Sequence, residues 1–239
     1  MAGPGSVLVA VVVYNEGERL GRVLAQFPKQ RSYDVLVVDD GSTDGSTQTA
    51  RAVGLTVLAH STNRGVGAAI RTAITYARAQ GYEFMVVMAG NGKMLPAEIP
   101  RLTEPLLAGQ ADYVQGSRYV AGGRAPNLPL FRRVMIHLFT RLVNAVSDFR
   151  GTDVTCGFRA YRLNVLDLPG VNLDQPWLDH YEMEYYIHHH VLSARLRVVE
   201  VPISMVYPDG GKDYSKIRPF SGWWSMVRPW ILLKLHLKH

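Results

Sequence analysis

Val7-Leu8-Val9-Ala10-Val11-Val12-Val13 runs into Tyr14-Asn15-Glu16, and Val35-Leu36-Val37-Val38 runs into Asp39-Asp40-Gly41-Ser42-Thr43-Asp44-Gly45. Both are unbroken β-branched and aliphatic stretches that stop at a polar string. A stretch apolar at every position, instead of every second one, is what a strand buried on both faces requires. Between the two, Leu20, Val23, Leu24 and Phe27 fall at helical spacing and stop near Pro28, so strand, helix and strand alternate. Thr56 to Ala59 then reads as a third strand, Gly65 to Ala79 as a glycine-opened, alanine-rich helix, and Phe84 to Met88 as a fourth strand. The fold class this alternation predicts is α/β, with one Rossmann-like, mostly parallel central sheet flanked by helices. A strand at Asp112 to Val114, a helix from about Leu130 to Val146 and a strand-like Arg197 to Met205 follow less regularly.

Loops at the carboxyl ends of parallel strands form the ligand crevice of such sheets. Here those loops are Tyr14-Asn15-Glu16, Asp39-Asp40-Gly41-Ser42, Asn63-Arg64-Gly65-Val66-Gly67 and Ala89-Gly90-Asn91-Gly92-Lys93, four polar strings on one sheet edge. Asp39 or Asp40 can accept hydrogen bonds from a base or ribose, Asn15 and Glu16 can do the same beside them, and Gly41 lets backbone come close to a nucleotide. The same residues also suit helix caps and tight turns, and a lone Asp-Asp-Gly-Ser would be read that way.

Composition narrows the class. Of 239 residues 47% are hydrophobic and 19% charged, enough apolar material for a core and too little charge for a disordered chain. The single cysteine, Cys156, allows no intramolecular disulfide, which points to a reducing, cytoplasmic compartment, and is best read as a small buried filler. His188-His189-His190 points three ways round a helix, so it is not a three-ligand metal site. The net charge of +6 is concentrated at the end, where residues 212 to 239 hold Lys212, Lys216, Arg218, Arg228, Lys234 and Lys238 against Asp213. No basic-region or zinc-finger pattern accompanies that charge, so nucleic acid is not the expected partner. The N-terminus carries no signal-peptide pattern, and no apolar run reaches the ~18 to 20 residues of a spanning helix.

The two strand-plus-loop units in order resemble the family-two glycosyltransferases. The resemblance continues through Asn63-Arg64-Gly65-Val66-Gly67-Ala68-Ala69, Gln115-Gly116-Ser117-Arg118-Tyr119, Thr152-Asp153-Val154-Thr155-Cys156-Gly157-Phe158-Arg159, Glu182-Met183-Glu184, Glu200-Val201-Pro202-Ile203 and Tyr214-Ser215-Lys216. In sequence these look like the ordered blocks of dolichyl- and polyprenyl-phosphate sugar synthases, over roughly residues 7 to 218. The resemblance implies a GT-A fold, a nucleotide-sugar donor (GDP-mannose or a UDP-sugar), a polyprenyl-phosphate acceptor and an inverting displacement at the anomeric carbon. It places Tyr14, Asn15, Glu16, Asp39, Asp40, Gly41, Gly67, Ala89 and Asn91 on the donor, and Arg118 and Lys216 on phosphates. Arg132, Arg133 and Lys212 are further phosphate candidates. A hydroxyl acceptor would need a carboxylate to take its proton, for which Asp153 and Glu184 are available, whereas a lipid phosphate oxygen is already anionic.

One block departs from the pattern. Where the family has Asp-x-Asp, often with Gln two positions on, this chain has Ala89, Asn91 and Lys93. The family's carboxylates hold a divalent ion (Mg²⁺ or Mn²⁺) that offsets the diphosphate charge. Ala89 offers no ligand, Asn91 only an amide oxygen, and Lys93 brings a cation to the same place. Three outcomes follow: the ammonium stands in for part of the metal charge, the ion is held by other ligands such as Glu182 or Asp153, or the chain binds nucleotide sugars without turning them over. An enzyme acting on a soluble hydroxyl acceptor is the other alternative.

The tail sets Trp223, Met226, Val227, Trp230 and Ile231 on one helical face beside Arg228, Lys234 and Lys238, an interfacial amphipathic pattern or a terminal helix packed on the domain. The expectation is a catalytic domain over residues 1–218 and a basic amphipathic segment over 219–239, with the protein peripheral at the cytoplasmic face of a membrane.

Overall fold

The computed structural model describes residues 2–3, 5–147, 149–208, 221–235 and 237–238. The apolar run that opens the chain forms β1 (Val7–Val13) at the centre of the sheet. Its side chains alternate between two cores: Val7, Val9, Val11 and Val13 enter one, Leu8 and Ala10 the other. That is why no position of the run is polar. Burying each such aliphatic side chain contributes on the order of 1.5–3 kcal/mol.

On the first face β1 meets α1 (Glu18–Leu24) through Leu20, Val23 and Leu24, and α4 (Ile99–Leu107) through Ile99, Leu102 and Leu106. On the second lie α3 (Val66–Gln80), with Ala69, Ile70, Ala73, Ile74 and Ala77 inward, and α6 (Glu182–Ser193), with Met183, Tyr186, Ile187 and Val191 inward. The alanines of α3 let it lie close to the sheet. A short α2 (Ser46–Ala52) completes the first half.

The sheet has seven strands in the order β3-β2-β1-β4-β6-β5-β7. Strands β1, β2 (Asp34–Asp39), β3 (Thr56–Ala59) and β4 (Phe84–Ala89) are mutually parallel, as the alternation requires. Next comes β6 (Arg159–Arg162), antiparallel to both β4 and β5 (Tyr113–Ser117), and β7 (Val198–Pro202) pairs parallel to β5. Only β6 runs against the other strands of the sheet, which is mostly parallel as expected, and β6 is the strand that the sequence does not announce. With arginine at both ends of four residues, β6 lacks the apolar run by which the other strands announce themselves.

A third cluster lies beyond the sheet, where Phe139 and Val143 of α5 (Leu130–Val146) meet Tyr185 and, from α7 (Ser221–Lys234), Met226 and Trp230. This changes the reading of the tail. Met226 and Trp230 are buried and Val227 half-buried, so most of the stripe seen in the sequence packs on the protein's own helices, while Ile231 is exposed. The Trp223 side chain lies outside the described residues. No helix among the described residues is long and apolar enough to cross a membrane.

His188 of the triple histidine is a core residue. Its ring stacks 5.1 Å from that of Tyr113, and neither nitrogen has a partner among the described residues. Burial, with Arg159 and His189 adding to it, holds its pKa well below 6.5, and His190 is held at about 4 chiefly by burial. The folded chain therefore binds these protons more weakly than the unfolded chain. Stability from this source is complete above pH 6.5 and drains away as pH falls toward 4. The thermal midpoint of the parent should fall more steeply over that interval than that of His188→Leu, which has one fewer histidine to protonate. Parallel midpoint-against-pH curves for the two would remove His188 from this account.

Candidate active site

A cavity of about 880 Å³ opens at the carboxyl ends of β1 and β4. Its size suits a nucleotide-sized ligand. The strand that fixes one wall ends in Tyr14, Asn15 and Glu16, and all three line it. Asn15 sits in the left-handed region at φ 48° and is locked to the second loop from both sides. Its N–H donates to Ser42 Oγ at 2.8 Å, and its Oδ1 accepts from the Thr43 N–H at 2.8 Å. The N–H groups of Glu16 and Gly17 donate to Ser46 Oγ, which in turn donates to Asp44 at 2.6 Å. Glu16 is thus presented to the cavity by a prebuilt turn.

The paired aspartates divide their labour. Asp39 does not line the cavity: one carboxylate oxygen accepts from the Ser42 N–H at 2.9 Å and the other from the Thr47 hydroxyl, closing the turn that the sequence offers as an alternative. Asp40 does line it, while accepting from the backbone N–H groups of Arg64 at 2.9 Å and Gly65 at 2.8 Å and facing His60 Nδ1 at 2.7 Å. Asp40 therefore fixes the third loop against the second.

The glycines serve the protein's own backbone. At Gly41 (φ 76°) a Cβ would stand 2.4 Å from the Thr62 carbonyl carbon, and at Gly67 1.9 Å from the Leu178 carbonyl oxygen. Neither is among the residues lining the cavity.

Arg118 and Asp153 are also elsewhere. Both are buried and face each other as a two-pronged pair, Nε to Oδ2 at 2.5 Å and Nη2 to Oδ1 at 2.6 Å. Nη1 also donates to the Tyr207 hydroxyl and Nη2 to the Thr155 hydroxyl, each at 2.6 Å. Neither side chain lines the cavity, so the expected phosphate contact and proton acceptor instead form a strut behind its wall. Tyr207 and Thr155 line that wall.

Among the described residues the arginine and lysine side chains lining the cavity are Arg19, Lys93 and Arg132. Lys93 lies 5.8 Å and Arg132 5.9 Å from the centroid of the Tyr207 ring, so one phenol carries two positive groups on its π system and takes a hydrogen bond from a third. Arg133, on the same helix as Arg132, is exposed and does not line the cavity. Lys212 and Lys216, with the Tyr214-Ser215-Lys216 block, lie outside the described residues.

Glu184 lines the cavity beside Tyr181 and Tyr185. Its carboxylate is 3.7 Å from Arg159 Nε. Burial pushes its pKa up, and Arg159 offsets that only in part. Arg159 itself is buried, donating to the carbonyls of Cys156, Val154 and Glu184 and to the Tyr113 hydroxyl. Tyr207 is a site residue that the sequence does not reveal, like Arg19, Tyr181 and Tyr185: it follows an irregular segment after β7 and belongs to no block that marks it.

The fourth loop, from Ala89 to Lys93, brings no carboxylate to the cavity. Ala89 presents a methyl group, and the Asn91 amide oxygen accepts from the Lys93 N–H at 3.2 Å. Asp153 is taken by Arg118, and Glu182 is buried against Arg228 at 2.8 Å, so neither replacement ligand lines the cavity. Among the described residues no three His, Cys, Asp or Glu side chains stand together as metal ligands.

Comparison with known proteins bears on the same elements. The undecaprenyl-phosphate mannosyltransferase of Micrococcus luteus is 33% identical over 216 residues, covering 87% of this chain and 86% of that protein. The polyprenol monophosphomannose synthase of Mycolicibacterium smegmatis is 33% identical over 210 residues, covering 82% and 76%. Among solved structures, glucosyl-3-phosphoglycerate synthase of Mycobacterium tuberculosis, in complex with Mn²⁺, UDP and phosphoglyceric acid, superposes with a TM-score of 0.68 at 17% identity over 96% of this chain and 78% of that one. That likeness establishes the GT-A arrangement of sheet and helices. The pattern of Glycosyl transferase family 2 matches residues 8–168, from the second residue of β1 past β6, and the chain belongs to that family of glycosyltransferases.

Proposed function

We propose that this glycosyltransferase moves a hexose, mannose first among the candidates, from a nucleotide sugar to a polyprenyl phosphate, with inversion at the anomeric carbon. The observation that carries the reading is the cavity itself. Polar loops for a nucleotide converge on the carboxyl edge of β1 and β4, and Lys93 and Arg132 stand together on Tyr207 in the same space. The names of the two bacterial relatives support the acceptor class. In the reaction an acceptor phosphate oxygen, already anionic, forms a bond to the anomeric carbon. The bond from that carbon to the donor's diphosphate breaks, and its electron pair leaves on the nucleoside diphosphate. No proton has to be removed from the acceptor. What the site must supply is positive charge placed in advance where the leaving group gains negative charge. Lys93 and Arg132 supply it, and Lys93 takes over part of the role that the family gives to a metal ion.

The test is transfer of labelled mannose from GDP-mannose, with UDP-hexoses in parallel, to a short-chain polyprenyl phosphate in detergent. Transfer with none of these donors would sink the reading. Transfer to a free sugar or glycan but not to the lipid phosphate would favour a second one. In that case Glu184, the cavity carboxylate whose pKa burial pushes up, would accept the hydroxyl proton.

A further inference from the structure

We infer that the outer face of α5 is a lipid-docking surface that lays the protein on an anionic bilayer. The inner face of the helix is ordinary, with Ile136, Phe139, Thr140 and Val143 buried. A surface helix normally turns polar residues outward. Here Leu130, Phe131, Val134, Leu138 and Leu142 are instead 45–72% exposed. With about 100° of turn per residue, these five fall in one stripe centred opposite the buried face. They include two of the most exposed large apolar side chains in the described structure. An aligned apolar stripe of this kind marks an interaction site, whereas scattered surface leucines do not.

Charge selects the occupant. Residues 130–146 contain Arg132, Arg133 and Arg141 and no Asp or Glu. Arg133 and Arg141 are exposed beside the stripe. Two copies of the face meeting about a two-fold axis would bring arginines together with no carboxylate on the helix to pair them. A bilayer with anionic headgroups satisfies both parts at once: the stripe enters the acyl boundary and the arginines stay among the phosphates. The geometry also serves the site, because Arg132 in the first turn of the same helix lines the cavity. A membrane under α5 thus lies next to the cavity wall that carries Lys93 and Arg132. The inference rests on the lipid-phosphate acceptor for its purpose but not for its geometry.

The measurement is flotation of the full chain with phosphatidylcholine vesicles, with and without about one third phosphatidylglycerol. The parent should bind the anionic vesicles. Phe131→Ser/Leu138→Ser should weaken that binding by about tenfold or more. Arg133→Gln/Arg141→Gln should weaken it by about fivefold per arginine and only on anionic vesicles. All these side chains are exposed, so the thermal midpoint and GDP or UDP binding by calorimetry should be unchanged. Mannosyl transfer in detergent, where no bilayer is needed, should also persist. Its absence in the parent would sink the proposed function while leaving flotation to decide the surface. Flotation by the Phe131→Ser/Leu138→Ser variant equal to that of the parent would overturn the inference, as would a parent that binds neither vesicle. A variant that changes a dimer into a monomer in sedimentation would assign the face to a second copy, and a fall in its thermal midpoint would assign it to the chain's own packing. Either result would also overturn the inference.

Discussion

Lys93→Ala is expected to lower turnover by about 10²- to 10³-fold, the loss that follows removal of one preorganised group from a developing negative charge. The fourth loop of the cavity has no carboxylate, its one amide oxygen is held by the Lys93 N–H, and the ammonium sits over the Tyr207 ring beside Arg132. A unit charge is a weaker substitute than a divalent ion at equal distance, so the parent should turn over more slowly than relatives with Asp-x-Asp and yet retain activity after exhaustive chelation. The triple change Ala89→Asp/Asn91→Asp/Lys93→Gln should bring dependence on Mn²⁺ or Mg²⁺. Nucleotide binding by calorimetry and the thermal midpoint of Lys93→Ala separate lost chemistry from lost structure. If chelation abolishes turnover of the parent and Mn²⁺ or Mg²⁺ recovers it stoichiometrically, the metal survives on other ligands and the role given to Lys93 is wrong.

How far the sequence discloses such a site depends on where each side chain's partners lie. The parallel half of the sheet is legible because β1, β4 and the Val35–Val38 stretch of β2 are buried on both faces and apolar at every position, whereas β6 holds only Ala160 and Tyr161 between two arginines and gives no such signal. The order of the loops on one edge follows directly from that half. The use of the loops does not. Asp39 and Asp40 stand after a strand, where a carboxylate can hold a ligand or a turn, and the groups that decide the matter are N–H donors as far away as Arg64 and Gly65. Arg118 and Asp153 are 35 residues apart, and their segments meet through the pairing of β5 with β6 and the hold of Glu200 of β7 on the Thr152–Asp153 backbone. On α5 the difficulty is reversed. Apolar residues occur on both faces, so the pattern marks a helix without showing which side the protein covers.

Asp153→Ala should cost about 3–5 kcal/mol of stability, because it leaves the Arg118 guanidinium buried without its counter-charge. For a chain of this length that corresponds to a fall in thermal midpoint on the order of 10 °C. The pair has further dependants. Arg118 holds the Tyr207 hydroxyl, Tyr207 carries Lys93 and Arg132, and Glu200 accepts the N–H groups of Thr152 and Asp153 to keep the turn in place. Activity should therefore fall together with stability. A general base would behave differently: its replacement would remove turnover and leave the fold alone. The double change Arg118→Met/Asp153→Leu discriminates further, since exchanging a buried pair for apolar side chains of similar volume is often neutral, and it should recover a large part of the lost midpoint. Denaturant melts at unchanged slope report the stability of all three proteins. If Asp153→Ala melts like the parent and has no turnover, Asp153 acts on the substrate and the strut described here is not its role.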